Sequence, residues 1–169
     1  SHPFYVNDFD FFDDDGKSTS PVEADVIPYF DSLPDGQYLV FAPKGFKTFK
    51  LFKLKKAYSK KDTTRVNITF TVKNGKKNGL ARWYGKKGVV LMEGEFMDDH
   101  KEGIWKVYKE EKLIRECSFY KGLREGPDIY FSDGDTVSIA HYTSDILHGQ
   151  VKVFYKDRLA MKGMIDDGD

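Results

Sequence analysis

Phe119-Tyr120-Lys121-Gly122-Leu123-Arg124-Glu125-Gly126 is the stretch that decides the fold. An aromatic opens it, six residues follow, and a glycine closes it. The same frame recurs at Phe96…Gly103 and Tyr142…Gly149 and, with Val as opener, at Val72…Gly79, so the glycines at 79, 103, 126 and 149 stand 24, 23 and 23 residues apart. A second ring follows each glycine by five residues, at Tyr84, Tyr108, Phe131 and Phe154. A fixed period of this size is the signature of a repeat architecture. Each repeat holds two short runs rich in β-formers. In one they are 104–108 and 113–120, in the next 129–131 and 136–142, with Ser132-Asp133-Gly134-Asp135 between the latter pair. Asp-Gly between such runs is a strong hairpin signal. Gly85-Lys86-Lys87-Gly88, Lys109 to Lys112 and Lys156-Asp157-Arg158 serve the same purpose in the other repeats.

The segments joining one hairpin to the next are turn chemistry as well. Asn74-Gly75, Asp98-Asp99, Lys121-Gly122 and Ser144-Asp145 occupy equivalent places before the repeat glycine. Such residues tolerate positive φ at low cost. The repeat glycine itself is expected either where a Cβ would strike the neighbouring hairpin or where φ is positive. No helix of ordinary length fits between successive glycines beside two strands. The expected fold is all-β: tandem hairpins of about 23 residues stacked into an elongated, twisted antiparallel sheet. Stacking places Tyr84, Tyr108, Phe131 and Phe154 in one row and Val72, Phe96, Phe119, Tyr142 and Ile165 in another. These rows are the expected core, since burying one large side chain contributes about 1.5–3 kcal/mol and a cross-strand neighbour adds about 0.2–1 kcal/mol.

Upstream the pattern decays. Gly36 precedes Phe41 by five residues, but 43 residues separate Gly36 from Gly79, close to two periods without equalling them. Residues 46–54 alternate basic and apolar, and 65–73 is another alternating strand, so 36–73 is expected to hold three strands, with 59–64 a loop. Residues 1–35 read as a separate acidic cap. Ser20-Pro21-Val22-Glu23 has the form of a capping box, and a short helix is expected from Pro21 to about Ile27. The array then runs from 36 to 169.

The chain carries no net charge, with 27 basic and 27 acidic residues, which gives no bulk reason to expect nucleic acid or an anionic membrane as partner. The charge is unevenly spread. Residues 1–35 hold nine acids against one base, leaving 26 bases and 18 acids in 36–169. Two solvated faces account for this; the sharper alternative is an acidic segment lying against a basic array, in cis or in a partner. No stretch approaches the 18 or so apolar residues of a membrane helix. Cys117 is the sole cysteine, so no intrachain disulfide forms. The chain opens Ser1-His2 without Met, as either an expression remnant or a cleaved leader would leave it.

Each constellation able to support chemistry meets a simpler explanation. Asp13, Asp15 and Gly16 match three places of a calcium loop, but Phe11 and Val22 stand where two carboxylates are needed, so a turn is expected and no metal. Cys117 and His141 fall one column apart on neighbouring hairpins and should face opposite sides of the sheet, which rules against a nucleophile–base pair. Paired carboxylates at 98–99, 110–111 and 166–167 lie in turns or at the tail, not in a dry cleft. Lys44, Lys47, Lys50, Lys53, Lys55 and Lys56 interleave with Phe46, Phe49 and Phe52. This stripe reads as a solvated strand face, with polyanion contact through Lys47, Lys50 and Lys53 as the alternative.

The phrase Lys73-Asn74-Gly75-Lys76-Lys77-Asn78-Gly79-Leu80-Ala81-Arg82-Trp83-Tyr84 resembles the bacterial variant of the MORN repeat, as does 119–126. Members of that family are often labelled YwqK-like antitoxins. The resemblance covers 65–169 well and 36–64 loosely. It departs at Pro127-Asp128, where Trp is usual, a weak point for the start of that strand. The lead-in 11–20 also looks like that of multi-repeat bacterial members, which are commonly exported, so an extracytoplasmic location is what the resemblance implies. The expectation is a non-enzymatic chain without cofactor that binds or scaffolds a protein partner through an exposed sheet face or edge, homodimerisation through an edge included. Lipid or polyanion association through 44–56 is the alternative. A repeat motif specifies shape more than task.

Overall fold

The computed structural model describes residues 11–12, 18–19, 33–41, 50–53, 66–85 and 88–166. They are antiparallel β-structure throughout, with no α-helix among them. The helix expected at 21–27 and the loop at 59–64 lie outside the described residues. The chain divides into two compact units, Ser1–Leu91 and Met92–Asp169.

In the N-terminal unit, β1 (Phe11–Phe12) pairs with β2 (Ser18–Thr19). The main sheet runs β7 (Gly79–Tyr84), β5 (Val66–Lys73), β3 (Gly36–Phe41), β4 (Lys50–Lys53), with β6 (Lys76–Lys77) beside β5. Residues 36–73 thus hold the three expected strands. Gly36 lies opposite Val72. That pairing explains the 43-residue spacing. β3 and β5 are the two strands of one repeat, and β4 is carried in the long connection between them, on the far side of β3. The upstream region is therefore one repeat with an insertion, not two decayed periods.

The C-terminal unit takes in β8 (Val90–Met97) from Met92 onward, then β9 (His100–Lys109), β10 (Lys112–Tyr120), β11 (Leu123–Ser132), β12 (Asp135–Thr143), β13 (Ile146–Leu147), β14 (Gly149–Tyr155) and β15 (Arg158–Ile165). Successive strands are neighbours, with β13 on the margin of β12. Two-residue turns connect them. Both turn residues have positive φ at 74–75, 98–99, 110–111, 121–122, 133–134, 144–145 and 156–157. That is the φ signature of the type I′ turn, whose twist matches that of the flanking strands. β11 runs unbroken through Pro127-Asp128, so the departure from the repeat pattern does not displace the strand.

Register explains the repeat glycine. Gly103 faces Phe119, Gly126 faces Tyr142 and Gly149 faces Ile165. A Cβ on Gly103 or Gly149 would meet nothing within 4 Å, whereas their φ angles are +72 and +77. Of the two reasons expected for glycine, backbone conformation is the operative one here. The positive φ accompanies a bulge. Between β10 and β11, pairing jumps from Phe119↔Arg124 to Cys117↔Asp128, so β11 carries two extra residues around Gly126. β8 and β9 repeat the jump, from Glu95↔Glu102 to Glu93↔Lys106. Bulges of this kind strengthen local twist.

An acid just before the glycine fastens the next turn. Asp35 accepts a hydrogen bond from the Asn74 amide (2.8 Å), Glu102 from that of Lys121 (3.1 Å) and Glu125 from that of Ser144 (2.6 Å). Backbone bonds reinforce the stack, from the Gly122 amide to the Lys101 carbonyl and from the Asp145 amide to the Arg124 carbonyl, each 2.9 Å.

Side chains fill a matching site in each repeat. In β5 and β7 the ladder Ile68↔Trp83, Thr69↔Arg82 leads next to Phe70 and Ala81, both buried. In β8 and β9 the sizes swap: Gly94 lies under the buried Trp105. Cys117 faces Asp128 in β10 and β11, and Ala140 comes alongside Val151 in β12 and β14. Large meets small at Phe70–Ala81 and Gly94–Trp105, as close packing demands. Burial then thins along the C-terminal unit. Phe96, Trp105 and Cys117 are buried, Phe119, Phe131, Tyr142 and Phe154 are half-buried, and β15 is exposed until Ile165.

Candidate functional site: a charged face and an open edge

One face of the C-terminal sheet carries Phe96, Trp105, Cys117, Phe119, Asp128, Tyr130 and Tyr142. Alternation along each strand and the pairings Cys117↔Asp128, Arg115↔Tyr130 and Asp128↔Ala140 fix this set. Two guanidinium groups lie on it. Arg115 donates from Nε and Nη2 to the two Asp128 carboxylate oxygens, both at 2.8 Å, and stacks over the Tyr130 ring at 5.0 Å. Asp128 occupies the column of Ala81, Trp105 and Val151, and its side chain is 4 % exposed against 30 % for Arg115. The carboxylate is the principal cause that holds the Arg115 guanidinium more firmly protonated than usual. Arg124 donates to Asp145 Oδ1 at 2.8 Å and lies 4.2 Å from the Tyr142 ring centre. The Arg124 hydrogen bond holds the Asp145 carboxyl below its ordinary value. Lys101 sits over both Trp105 and Phe119, at 4.8 and 5.1 Å.

Each guanidinium on this face is thus already met by a carboxylate and a ring. The pairing neutralises the charge that an anionic ligand would seek and makes the face chiefly structural. Burial pushes the Cys117 thiol above its usual value, with the nearby Asp128 carboxylate adding to the rise. That is the opposite of what activates a nucleophile. Ala140 faces Asp128, so its neighbour His141 projects from the other side of the sheet, away from Cys117. Among the described residues, no three His, Cys, Asp or Glu side chains gather as a metal set would require.

The other residues singled out from sequence are placed as follows. Gly103, Gly126 and Gly149 lie on β9, β11 and β14, each opposite a leading aromatic or its equivalent. Gly79 opens β7 with φ +84. Tyr84 is buried in the N-terminal unit, while Tyr108 donates its hydroxyl to Glu93 at 2.8 Å. Lys50 and Lys53 are the ends of β4, the outermost strand of the N-terminal sheet. Lys44 and Lys47 lie outside the described residues, as do Asp13, Asp15 and Gly16.

The remaining feature is the margin at β15. Its inner side pairs with β14 from Gly149↔Ile165 to Tyr155↔Arg158. Its outer side has no neighbour strand among the described residues. Leu159 is 51 % exposed, Met161 64 % and Met164 70 %, and Tyr155 in the adjoining strand is 69 % exposed. An eight-residue strand bearing apolar side chains on both faces, with no strand laddered to its outer side among the described residues, is a template for another strand.

No protein-family model matches the chain, and neither a curated protein nor a solved structure is matched.

Proposed function

We propose that this chain is a non-catalytic repeat protein, of the MORN-variant type, that binds another protein by adding a strand of that partner to the margin of its C-terminal sheet. The observation that carries this reading is β15, whose side chains from Arg158 to Met164 are all exposed although the strand pairs with β14 along its inner side, with one register shift at Ala160. Strand addition uses such an edge directly. The ladder hydrogen bonds supply affinity and alternate side chains supply selectivity. Arg158 and Lys162 are the charges on it, against Leu159, Met161, Met164 and Ile165.

The test is capture from the native host with the intact chain and with a Met161→Lys/Met164→Lys variant. Both methionines are exposed, so the lysines block docking without disturbing the fold. The reading expects a partner held by the intact chain and lost by the variant. Equal capture by both refutes the edge as the binding element. Light scattering across a concentration series asks whether the partner is a second copy; a strict monomer at high concentration excludes one.

A further inference from the structure

We infer that the β15 edge selects an extended segment in which a glycine is followed two residues later by a large aromatic and then at once by an acid. This rests on the edge reading above and adds the chemistry of the ligand.

The repeat itself supplies the template. Gly94 and Gly163 stand in the same column, each two residues before the residue that faces, or stands equivalent to one facing, a repeat glycine (Phe96 and Ile165). At Gly94 the adjoining strand covers the bare backbone with an indole. A Cβ there would come within 2.2 Å of the Trp105 ring, which is 2 % exposed. The other members of the column have a neighbour on the next strand too: Cys117 faces Asp128, and the ladders through Thr69↔Arg82 and Ile139↔Lys152 lead on to Phe70 beside Ala81 and Ala140 beside Val151. At Gly163 a Cβ would meet nothing within 4 Å. The seat is built and its outer side is uncovered. The bulge that brings Trp105 over Gly94 starts at Gly103, with φ +72, which is why the incoming segment needs a glycine two residues before its ring.

The charge requirement comes from the opposite face. At the template, Glu93 faces Lys106 and Lys106 faces Glu116, so signs alternate from strand to strand. At the margin, Lys152 faces Lys162. Two like charges directly opposed are unfavourable. The residue that follows the ring in an incoming strand takes the position of Lys106, opposite Lys162. An acid there restores the alternation, and a base would extend a row of three cations.

The probe is a fluorescein-labelled peptide with the 101–109 sequence carrying Lys106→Glu, titrated with the intact chain and followed by anisotropy. Two control peptides change one feature each, one keeping Lys106 and one adding Trp105→Ala. The expected result is binding at least about tenfold tighter than either control, since a buried aromatic anchor commonly dominates such contacts. Gly163→Val should abolish the preference over the Trp105→Ala peptide without lowering the melting temperature of the chain, because its Cβ has open space. Equal binding of all three peptides, lost in Met161→Lys/Met164→Lys, overturns the inference and leaves the edge reading standing. Selective binding that survives both Gly163→Val and the lysine pair places the site elsewhere and overturns both. Absence of binding by any peptide overturns the inference, and the host capture then decides the edge reading alone.

Discussion

Replacing Gly94 by alanine adds a single carbon to a buried position of β8 beneath Trp105 and tests whether the fit of that ring over bare backbone stabilises the C-terminal sheet. The new Cβ would stand 2.2 Å from the Trp105 ring, where ordinary contact begins at 3.4 Å. The indole must therefore retreat by roughly 1.2 Å, the difference of those two distances. It has no room to do so. Phe96 and Phe119 pack edge-on against it at 5.1 and 6.3 Å, Lys101 lies over it at 4.8 Å, and its Nε1 donates to the Glu95 carbonyl at 3.2 Å. Overpacking of this kind costs about 1–3 kcal/mol, against a gain of about 0.5–1 kcal/mol from removing a strand glycine. The expected net loss is about 1–2 kcal/mol. Trp105→Ala alone should cost about 3–5 kcal/mol. The informative variant is the double one. With the indole gone, Gly94→Ala has nothing to strike and should be neutral or slightly stabilising, so the cycle yields a coupling of about 1–3 kcal/mol. Urea unfolding followed by near-ultraviolet circular dichroism gives all four free energies. Additive losses would refute the argument, because they would mean that Gly94 is selected by backbone conformation and not by the ring above it.

The buried ion pair offers a second cycle: Asp128→Ala strands the Arg115 guanidinium and should cost about 3 kcal/mol, somewhat less than a fully buried pair because Arg115 is partly wet. Arg115→Met/Asp128→Leu should recover most of that loss in chemical denaturation, and failure to recover would show that the pair is required for more than filling space. Glu110 and Glu111 hold φ angles of 51 and 64 in the β9–β10 turn; Glu110→Asn/Glu111→Gly should raise the melting temperature, by about 0.5–1 kcal/mol in stability, once the left-handed strain of about 1–2 kcal/mol is set against glycine's entropy. Cys117 should react with a disulfide reagent far more slowly in the native chain than in denaturant near pH 8, close to the free thiol's ordinary value of about 8.5. Because its folded value is raised, any stability it contributes is fully present below the unfolded pKa and is lost as pH rises from there through the folded one; rapid native modification would contradict its burial.

The period was legible because glycine and aromatic spacing records a backbone requirement. Gly103, Gly126 and Gly149 need positive φ at the bulge, and no other residue type satisfies that as cheaply. The turns were legible for the same reason, even where Glu110-Glu111 hides the usual Asn-Gly signature. The insertion of β4 was not, since a 43-residue spacing looks like two periods until Gly36 is seen opposite Val72. The aromatic rows were only partly right as core. Sequence counts rings but not layers, and β11 onward has too little above it to bury Phe131, Tyr142 or Phe154 completely. The Arg115–Asp128 pair was missed, though a signal existed. Asp128 stands two residues after its glycine, in the column of Ala81, Trp105 and Val151, and an acid in an apolar column calls for a cation on the neighbouring strand. The acid before the glycine, at Asp35, Glu102 and Glu125, was equally visible and equally unread.

The gradient of burial within the C-terminal unit bears on why its margin and not its face is the place for a partner. On the face, each cation is already satisfied: Arg115 by Asp128, Arg124 by Asp145, Lys101 by two rings. A ligand there would have to displace contacts of equal quality and gains little from doing so. At β15 nothing is displaced. The strand is already held extended, because β14 pairs with it from Ile165 to Met161 and, past one register shift, again at Leu159 and Arg158. What it lacks is what each preceding strand receives from its successor: a second ladder, a side chain over the small residue of the column, and a charge opposite its own. A docking strand supplies all three together. The same incompleteness that leaves β15 the least buried strand of the sheet therefore makes it the most receptive, and the two properties have one physical origin in a single-layer array whose strands are stabilised chiefly by their neighbours.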